Sequence, residues 1–341
     1  MVKVHMLTTA DEMIAGYSTR DFERLSSAAR CDRFKDHTLV DSPHDADLIL
    51  FVGSSYLDHR DVRSHPLLRL YRRRCFLFYS EDYLIPFLPG VYVNIMKRWY
   101  SKRTLSGPYL QMIDWDYIPF TPSLALCDYL FCFVGSARTH RVRRQILHLK
   151  HPRAYLEDTS ATMAKGGKGE AFAMVEYQPE KKSRYGELIS QSKFVLCPRG
   201  YAPSTWRVFE TMKAGRVPVI ISDQWVTPEG PAWESFSIRV KQNQLSGIPN
   251  LLERYEPRAE EMGQLARKAW EDWFSREAVF HRIVEWCIVL RDRSQMTTFS
   301  EVAPYVQLLR PFFLRYVVLC GIKERVQKHI FTSRWPTPSH R

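Results

Sequence analysis

The sequence lacks the features that would place the chain in a membrane or an oxidising compartment. No apolar run reaches the roughly 20 residues needed to cross a bilayer without meeting a charge. The seven cysteines are scattered and odd in number, which favours reduced thiols over a disulfide framework. Met1–Leu7 is too short and too polar for the core of a signal peptide and predicts a first strand. We therefore expect a cytoplasmic protein, most simply in a bacterium.

Clustered basic residues are scarce as well, although the formal net charge is +12. The longest basic block is Arg72-Arg73-Arg74, and no helix-turn-helix, zinc-finger or RNA-binding motif accompanies it. We expect no nucleic-acid partner, and an attraction to smaller anions or acidic glycans instead. Internal repeats and low-complexity tracts are missing too, and 341 residues suit two globular domains.

The most informative stretch runs from Ser192 to Val240. The apolar run Phe194–Cys197 predicts a buried parallel strand, and Val217–Ile221 predicts a second one. Between them a polar loop ends at Ser204 and Thr205, where a hydroxyl residue can cap a following helix. In α/β sheets, ligands bind at loops that follow the carboxyl ends of strands. This loop is therefore a candidate binding site.

The residues around this helix start suit a nucleotide diphosphate. A helix N-terminus offers free N–H groups and a partial positive charge, and Arg199, Ser204 and Thr205 add donors. Arg207 and Glu210 lie three apart and share a helix face. The arginine suits the diphosphate, and the carboxylate one turn deeper suits the ribose hydroxyls. Alternatively, these two residues simply pair with each other on a solvated face.

The same stretch resembles a known family. The residues that carry the resemblance are Pro198–Gly200, Ser204–Glu210, Ala214–Ile220, Trp233 and Phe236–Val240. They are similar to the exostosin-like glycosyltransferases of glycosyltransferase family 47, which often have cysteine where Arg216 stands; we expect that change to affect local packing or surface charge. The resemblance implies an α/β, GT-B-like fold of two Rossmann-like domains facing a cleft. It also implies sugar transfer from a nucleotide sugar, with inversion and without a metal or other cofactor.

The domain boundaries follow from the predicted strands and helices. Residues 1–122 are predicted to form an N-terminal, acceptor-side Rossmann-like domain, and residues 123–290 a C-terminal Rossmann-like domain that binds the nucleotide sugar. Apolar spacing predicts helices over 258–274 and 277–290. Residues 291–341 are predicted to pack back across both domains. Their basic, amphipathic composition also suits peripheral contact with an anionic membrane at its inner face.

Two carboxylates follow a buried strand of the first domain. The run Cys75–Tyr79 predicts the strand, and Glu81 and Asp82 follow its carboxyl end, where side chains face the cleft. An inverting transfer needs a general base for the acceptor hydroxyl. We expect Asp82 to be that base, with Glu81, and then Asp58 and His59, as the alternatives. Either carboxylate alone also suits a simple turn cap.

The second domain opens with a strand, a glycine turn and a basic helix start. Within the family resemblance, Arg138 and Arg141 are the residues expected to bind the donor phosphates. Arg143 and Arg144 equally suit a solvated basic helix face.

The predicted function is an inverting, metal-independent glycosyltransferase. Its expected donor is a nucleotide sugar, with UDP as the favoured nucleotide, and its acceptor a hydroxyl of a glycan or lipid-linked glycan. Two alternatives stay open: a metal-dependent GT-A-like transferase that uses the DxD pattern Asp114-Trp115-Asp116, and a non-catalytic basic protein that binds glycans or nucleic acid. His281 and His329 have no evident partners in the sequence and are expected to be structural.

Overall fold

The computed structural model describes residues 1–8, 18–53, 62, 65–82, 86–125, 127–161 and 179–293. Within these ranges the chain forms two β-sheets flanked by helices. In the same ranges, no helix combines the length and the apolar character needed to cross a bilayer. Asp58, His59, His329 and the predicted tail helices beyond Arg293 lie outside the described residues.

The first sheet contains six parallel strands in the order β2-β1-β3-β4-β5-β6. The strands are β1 (Val2–Leu7), β2 (His37–Leu39), β3 (Leu48–Gly53), β4 (Cys75–Tyr79), β5 (Gly90–Tyr92) and β6 (Thr104–Ser106). Every residue of β3 and β4 is buried. Continuous apolar runs of this kind are expected where both faces of a parallel sheet are covered.

The second sheet contains five parallel strands in the order β11-β10-β9-β7-β8. They are β7 (Tyr129–Gly135), β8 (Ala154–Asp158), β9 (Ser192–Pro198), β10 (Val217–Ile221) and β11 (Ile238–Arg239). Both sheets have the same topology. In each sheet, the first strand in sequence lies between the second and the third, and the remaining strands follow in order beyond the third. The two Rossmann-like units confirm the predicted α/β, GT-B-like fold class.

Helices connect the strands and cover the sheets. They are α1 (Ser18–Cys31), α2 (Pro66–Leu70), α3 (Arg141–Ile146), α4 (Pro179–Ser190), α5 (Trp206–Lys213), α6 (Trp233–Phe236), α7 (Ile248–Tyr255), α8 (Ala259–Trp273) and α9 (Arg276–Arg293). Gly215, with φ of 70°, follows the end of α5, where the left-handed conformation favours glycine. A Cβ at Gly263 of α8 would lie 2.4 Å from the Gly215 carbonyl oxygen, so α8 crosses this helix end at close range.

The two units are held together by backbone pairing and a shared core. Met96 forms an antiparallel bridge with Trp225, and the Lys97 N–H donates to the Gln224 carbonyl at 2.9 Å. One buried hydrophobic cluster includes Val4 and Leu105 of the first unit and Phe209 of the second. The apolar core therefore continues from one unit into the other.

Helix α9 returns to the first unit. It packs along α1, and the Arg33 N–H donates to the Glu277 carbonyl at 3.0 Å. The predicted boundary at residue 122 falls between the two sheets, in the segment from Ser106 to Tyr129. Helix α9, most of which lies in the range predicted for the second domain, packs on the first unit, and the tail beyond Arg293 lies outside the described residues.

Arg216 contributes to packing at the junction between the units. Its side chain is buried and donates to the carbonyls of Thr121 at 2.7 Å and of Ser190 at 2.8 Å. Of the two effects expected at this position, the structure therefore shows local packing and not surface charge.

Candidate functional site

The candidate site lies where the strand order of the second sheet reverses. Strands β7 and β9 are neighbours, but the connections that follow them leave in opposite directions. Their outgoing loops begin at Ser136 and at Arg199, at the carboxyl edge of the sheet. Open α/β sheets bind ligands in the crevice at such a switch point. These two loops, 136–140 and 199–205, are called the switch loops below.

Arg143 of α3 ties the two switch loops together. Its guanidinium donates through Nε to the Arg199 carbonyl at 2.9 Å, through Nη2 to Pro198 at 3.4 Å and through Nη1 to Ser136 at 3.5 Å. The side chain is buried. Burial and the charge of Arg207 lower the pKa of Arg143, which Asp82 of the opposite unit partly offsets. Among the described residues, Arg143 forms no salt bridge with a carboxylate. Its charge therefore favours an anion at the loops.

Arg207 extends from α5 towards the same loops, and its guanidinium lies beside Gly135. Its Nε donates to the Val134 carbonyl at 3.0 Å, and its guanidinium lies 5.2 Å from the centre of the Phe133 ring. A Cβ at Gly135 would lie 2.1 Å from the Arg207 Nη2 atom. Glycine is therefore required there for this arginine to reach the backbone. The predicted alternative, a salt bridge between Arg207 and Glu210, is not formed.

Glu210 is buried between two tyrosines. Its carboxylate accepts from Tyr185 of α4 at 2.6 Å and from Tyr117 of the connecting segment at 3.2 Å. Burial raises the pKa of Glu210, although Arg207 and both hydroxyls act in the opposite direction. In this arrangement each carboxylate oxygen accepts one hydrogen bond from a tyrosine hydroxyl. The predicted role of Glu210 toward the ribose stays a prediction.

Ser204 and Thr205 precede α5, and Thr205 occupies the cap position, but its side chain makes no capping hydrogen bond. Thr205 is the residue before the first helical position, with extended φ and ψ of −151° and 140°. Both side chains are buried. The Ser204 hydroxyl lies near the Tyr109 hydroxyl, and the Thr139 hydroxyl of the other switch loop has no hydrogen-bond partner among the described residues. Two hydroxyls and a positive helix terminus thus border the crevice.

Three further arginines surround the switch loops. Arg138 and Arg141 are exposed at the start of the helical segment after β7. Arg199 is half-buried and donates to the Tyr201 carbonyl at 3.1 Å within its own loop. Burial and the charge of Arg98, from the first unit, lower the pKa of Arg199. Positive charge from both units therefore meets at this crevice.

Asp82 and Glu81 follow β4 on the first unit. Asp82 is exposed and Glu81 is half-buried. The loop is fixed by Asn94, whose amide nitrogen donates to the Glu81 carbonyl at 3.0 Å and whose oxygen accepts from Tyr109 at 2.9 Å. Burial raises the pKa of Tyr109, and the charge of Asp82 adds to that effect. The charge of Asp82 also acts to raise the pKa of Arg143, against the effect of burial.

Asp114 of the DxD pattern is engaged elsewhere. Its carboxylate accepts from Arg24 of α1 at 2.6 Å and lies 3.4 Å from the guanidinium of Arg276 of α9. Both partners belong to the face where α9 packs on the first unit. In the part of the chain that the structure describes, Asp114 and Asp116 are not members of a group of three possible metal ligands.

A family comparison covers both switch loops. Residues 127–255 match the family model of the exostosin GT47 domain. This part of the chain is similar to the exostosin GT47 domain, and it is called the exostosin-like domain below. The resemblance predicted from the sequence is thereby confirmed for the second unit, which contains Arg143, Arg207 and the start of α5.

Curated relatives of the exostosin-like domain align over limited lengths. An exostosin-1 homologue of Caenorhabditis elegans is 38% identical over 90 residues, which are 26% of this chain and 24% of the relative. A probable glycosyltransferase of Arabidopsis thaliana is 33% identical over 85 residues, 24% of this chain and 16% of the relative. Exostosin-1 of Drosophila melanogaster is 25% identical over 155 residues, 43% of this chain and 20% of the relative. The chain thus spans a quarter or less of these proteins.

Solved structures resemble the chain over most of its length, at low identity. A sucrose-phosphate synthase of Thermosynechococcus elongatus has a TM-score of 0.47 and 12% identity, covering 86% of this chain and 99% of its own. The HepE protein of Anabaena, solved with UDP and glucose, has a TM-score of 0.43 and 11% identity, covering 84% and 99%. These likenesses are distant, and the assignment of the fold rests on the two parallel sheets of the chain itself.

Arg143 is the main residue of the exostosin-like domain that the sequence did not single out. Arg141, Arg143 and Arg144 project from the helix in different directions, but the sequence does not show which of these side chains faces the protein interior. Arg143 is held inward by hydrogen bonds to the carbonyls of Pro198 and Arg199, which are distant from it in the sequence. Tyr117 and Tyr185, the partners of Glu210, were missed for the same reason.

Proposed function

We propose that this protein is a glycosyltransferase that moves a sugar from a nucleotide sugar to a hydroxyl of a glycan or lipid-linked glycan. The observation that supports it most is the anion-attracting crevice of the exostosin-like domain. There, buried Arg143 and half-buried Arg207 lie beside a helix start, and neither forms a salt bridge with a described carboxylate. A diphosphate supplies the charge that such a site favours.

The arginines would have two different roles in binding the donor. Arg143 and Arg207 already donate to backbone carbonyls, so they would fix the switch loops and supply positive potential. The exposed Arg138 and Arg141, together with Arg199, would donate directly to phosphate oxygens. Ser204 and Thr205, at the start of α5, would complete the cradle. We favour uridine diphosphate as the nucleotide part.

The proposed reaction is a single displacement with inversion. An acceptor hydroxyl oxygen attacks the anomeric carbon while the bond from that carbon to the diphosphate oxygen breaks. The hydroxyl proton passes to the Asp82 carboxylate, and the bonding electron pair leaves with the diphosphate. The arginines and the terminus of α5 would stabilise that developing charge, which is why we propose that no metal is needed.

Thermal unfolding against a panel of nucleoside diphosphates, with EDTA present, tests donor binding. A ligand at a hundredfold excess over its dissociation constant should stabilise the fold by about 2.7 kcal/mol. The shift should disappear in Arg138→Ala and persist in the control Arg254→Ala, an exposed arginine of α7. If binding appears only when a divalent metal is restored, the metal-dependent alternative is correct. If it never appears, the transferase proposal fails.

Asp82→Asn tests the base separately from the donor site. The variant should bind nucleotide as the natural sequence does, but release of nucleoside diphosphate in the presence of acceptor glycans should fall by about 100-fold or more. Loss of nucleotide binding instead would mean that Asp82 contacts the donor. Unchanged turnover would remove Asp82 as the base.

A further inference from the structure

Three possible metal ligands lie together on the face opposite the crevice. They are His37 at the start of β2, and His281 and Glu285 of α9. His37 pairs with Val2 at the start of β1, so the group lies at the amino edge of the first sheet. The switch loops follow carboxyl edges. The group is therefore separate from the proposed catalytic crevice.

The spacing of the three side chains suits a single cation. One ligand atom from each residue lies within 4.8 Å of the others, and His37 Nε2 lies 3.0 Å from Glu285 Oε1. His281 and Glu285 are four residues apart on α9, so both project from the same helix face. Ligands bound to zinc at about 2.0–2.1 Å lie roughly 3.3 Å from one another. Small side-chain movements would therefore bring the three ligand atoms to the separations found around zinc.

The surroundings of the histidine ring nitrogens suit a bound cation. Nδ1 of His37 is buried without a hydrogen-bond partner among the described residues, whereas the buried His37 Nε2 and His281 Nδ1 face the carboxylates of Glu285 and Asp36 at 3.0 and 3.9 Å. The two histidine rings stack with centroids 4.9 Å apart. Buried polar groups are normally paired, and a metal ion would satisfy such nitrogens. Asp36 Oδ2, 3.9 Å from His281 Nδ1, is a possible fourth ligand.

The neighbouring positive charges are already engaged. Arg33 donates to the Asp272 carboxylate at 2.9 Å, and Arg282 donates to the Asp272 carbonyl at 3.0 Å. Arg282 also lies 4.1 Å from the centre of the Trp273 ring. Arg33 is thereby paired with a carboxylate, but the carbonyl partner of Arg282 does not neutralise its charge, so the Glu285 carboxylate must offset that charge for a cation to bind.

We propose that His37, His281 and Glu285 bind a zinc-like divalent cation. Two imidazoles and a carboxylate are a donor set that zinc accepts in proteins. His37 belongs to the first sheet and the other two ligands belong to α9. The ion would therefore link α9 to the first unit and stabilise that contact. Its role is structural and leaves the proposed metal-free transfer unaffected.

Calorimetric titration of EDTA-stripped, dialysed full-length protein with zinc chloride tests the site. We expect one zinc per chain, at least tenfold weaker binding in both Glu285→Gln and His37→Gln, and a zinc-dependent rise in melting temperature only where the site is intact. The matched control is His151→Gln, because His151 pairs with Glu253 at 3.2 Å and is not in the group. It should bind zinc as the natural sequence does.

The half-exposed Glu285 makes its variant the safer one for folding. Circular dichroism of the zinc-free proteins verifies that each variant is folded. Failure of the natural sequence to bind zinc would overturn the proposal. So would zinc affinity unchanged in folded Glu285→Gln, since the ion would then be held elsewhere.

Discussion

At the scale of single residues, Arg143 and Arg207 share an unusual situation. Each is withdrawn from solvent, and each donates to main-chain carbonyls of the switch region. A carbonyl satisfies a guanidinium N–H but does not neutralise its charge. The two charges also raise each other's energy, because burial weakens screening. A bound diphosphate would offset this repulsion, which would favour its binding.

Gly135 is a direct test of the position of Arg207. In Gly135→Ala the new Cβ would lie 2.1 Å from Arg207 Nη2, so the guanidinium must move. Because the displaced atoms are the end of a flexible side chain, we expect mainly the loss of the Arg207 hydrogen bonds, about 1 kcal/mol in the free energy of unfolding, and weaker nucleotide binding. Gly247→Ala is the control, because a Cβ there meets nothing within 4 Å. Urea unfolding compares the two, and equal effects would contradict the proposed close contact.

At the scale of elements, one side chain from α3 joins loops that follow two strands. Arg143→Lys keeps the positive charge but cannot donate to the carbonyls of Ser136, Pro198 and Arg199 together. We expect stability to fall by about 1–3 kcal/mol and nucleotide affinity to fall with it. Exposed Arg144, the next residue, provides the control Arg144→Lys. Nucleotide affinity unchanged in Arg143→Lys would show that the loops hold their positions without this side chain.

The elements also show what the sequence could and could not predict. The strands Leu48–Gly53 and Cys75–Tyr79 were predictable because unbroken apolar runs mark buried parallel strands. Helices α8 and α9 lie within a few residues of the predicted ranges, since their apolar stripes are long. The group of His37 with His281 was not predictable, because it depends on α9 returning to the first sheet. Local patterns specify elements, but contacts distant in sequence determine which polar side chains meet.

At the scale of the whole molecule, Glu229 links three parts of the chain. It follows β10 of the second unit, accepts from Tyr100 of the first unit, and forms a two-pronged salt bridge with Arg293 of α9 at 2.8 and 3.2 Å. Trp286 Nε1 also donates to the Glu229 carbonyl at 3.2 Å. Burial and the bond to Glu229 raise the pKa of Tyr100 to about 12, so its hydroxyl remains a donor. These contacts restrain the two units beside the cleft.

The pH dependence of stability tests this link. Hydrogen bonds from Arg293 lower the pKa of Glu229 below its ordinary value of 4.5, so its ionised form stabilises the fold above that pH. The contribution is lost as the pH falls through the lowered folded-state pKa. Because the Glu229 and Arg293 side chains are 38% and 40% exposed, solvent screening limits the effect to about 0.5–1 kcal/mol.

Glu229→Gln should therefore be less stable than the natural sequence near neutral pH, and the difference should shrink in acid. Urea unfolding over a pH series measures it. Asp292→Asn provides the control on the same helix, because Asp292 is 66% exposed and pairs only with neighbouring Arg291 in the contacts described. The free energy of unfolding of Asp292→Asn should differ little from that of the natural sequence at every pH. A Glu229→Gln deficit that stays constant down to strongly acidic pH would mean that the carboxylate's charge does not hold the units together.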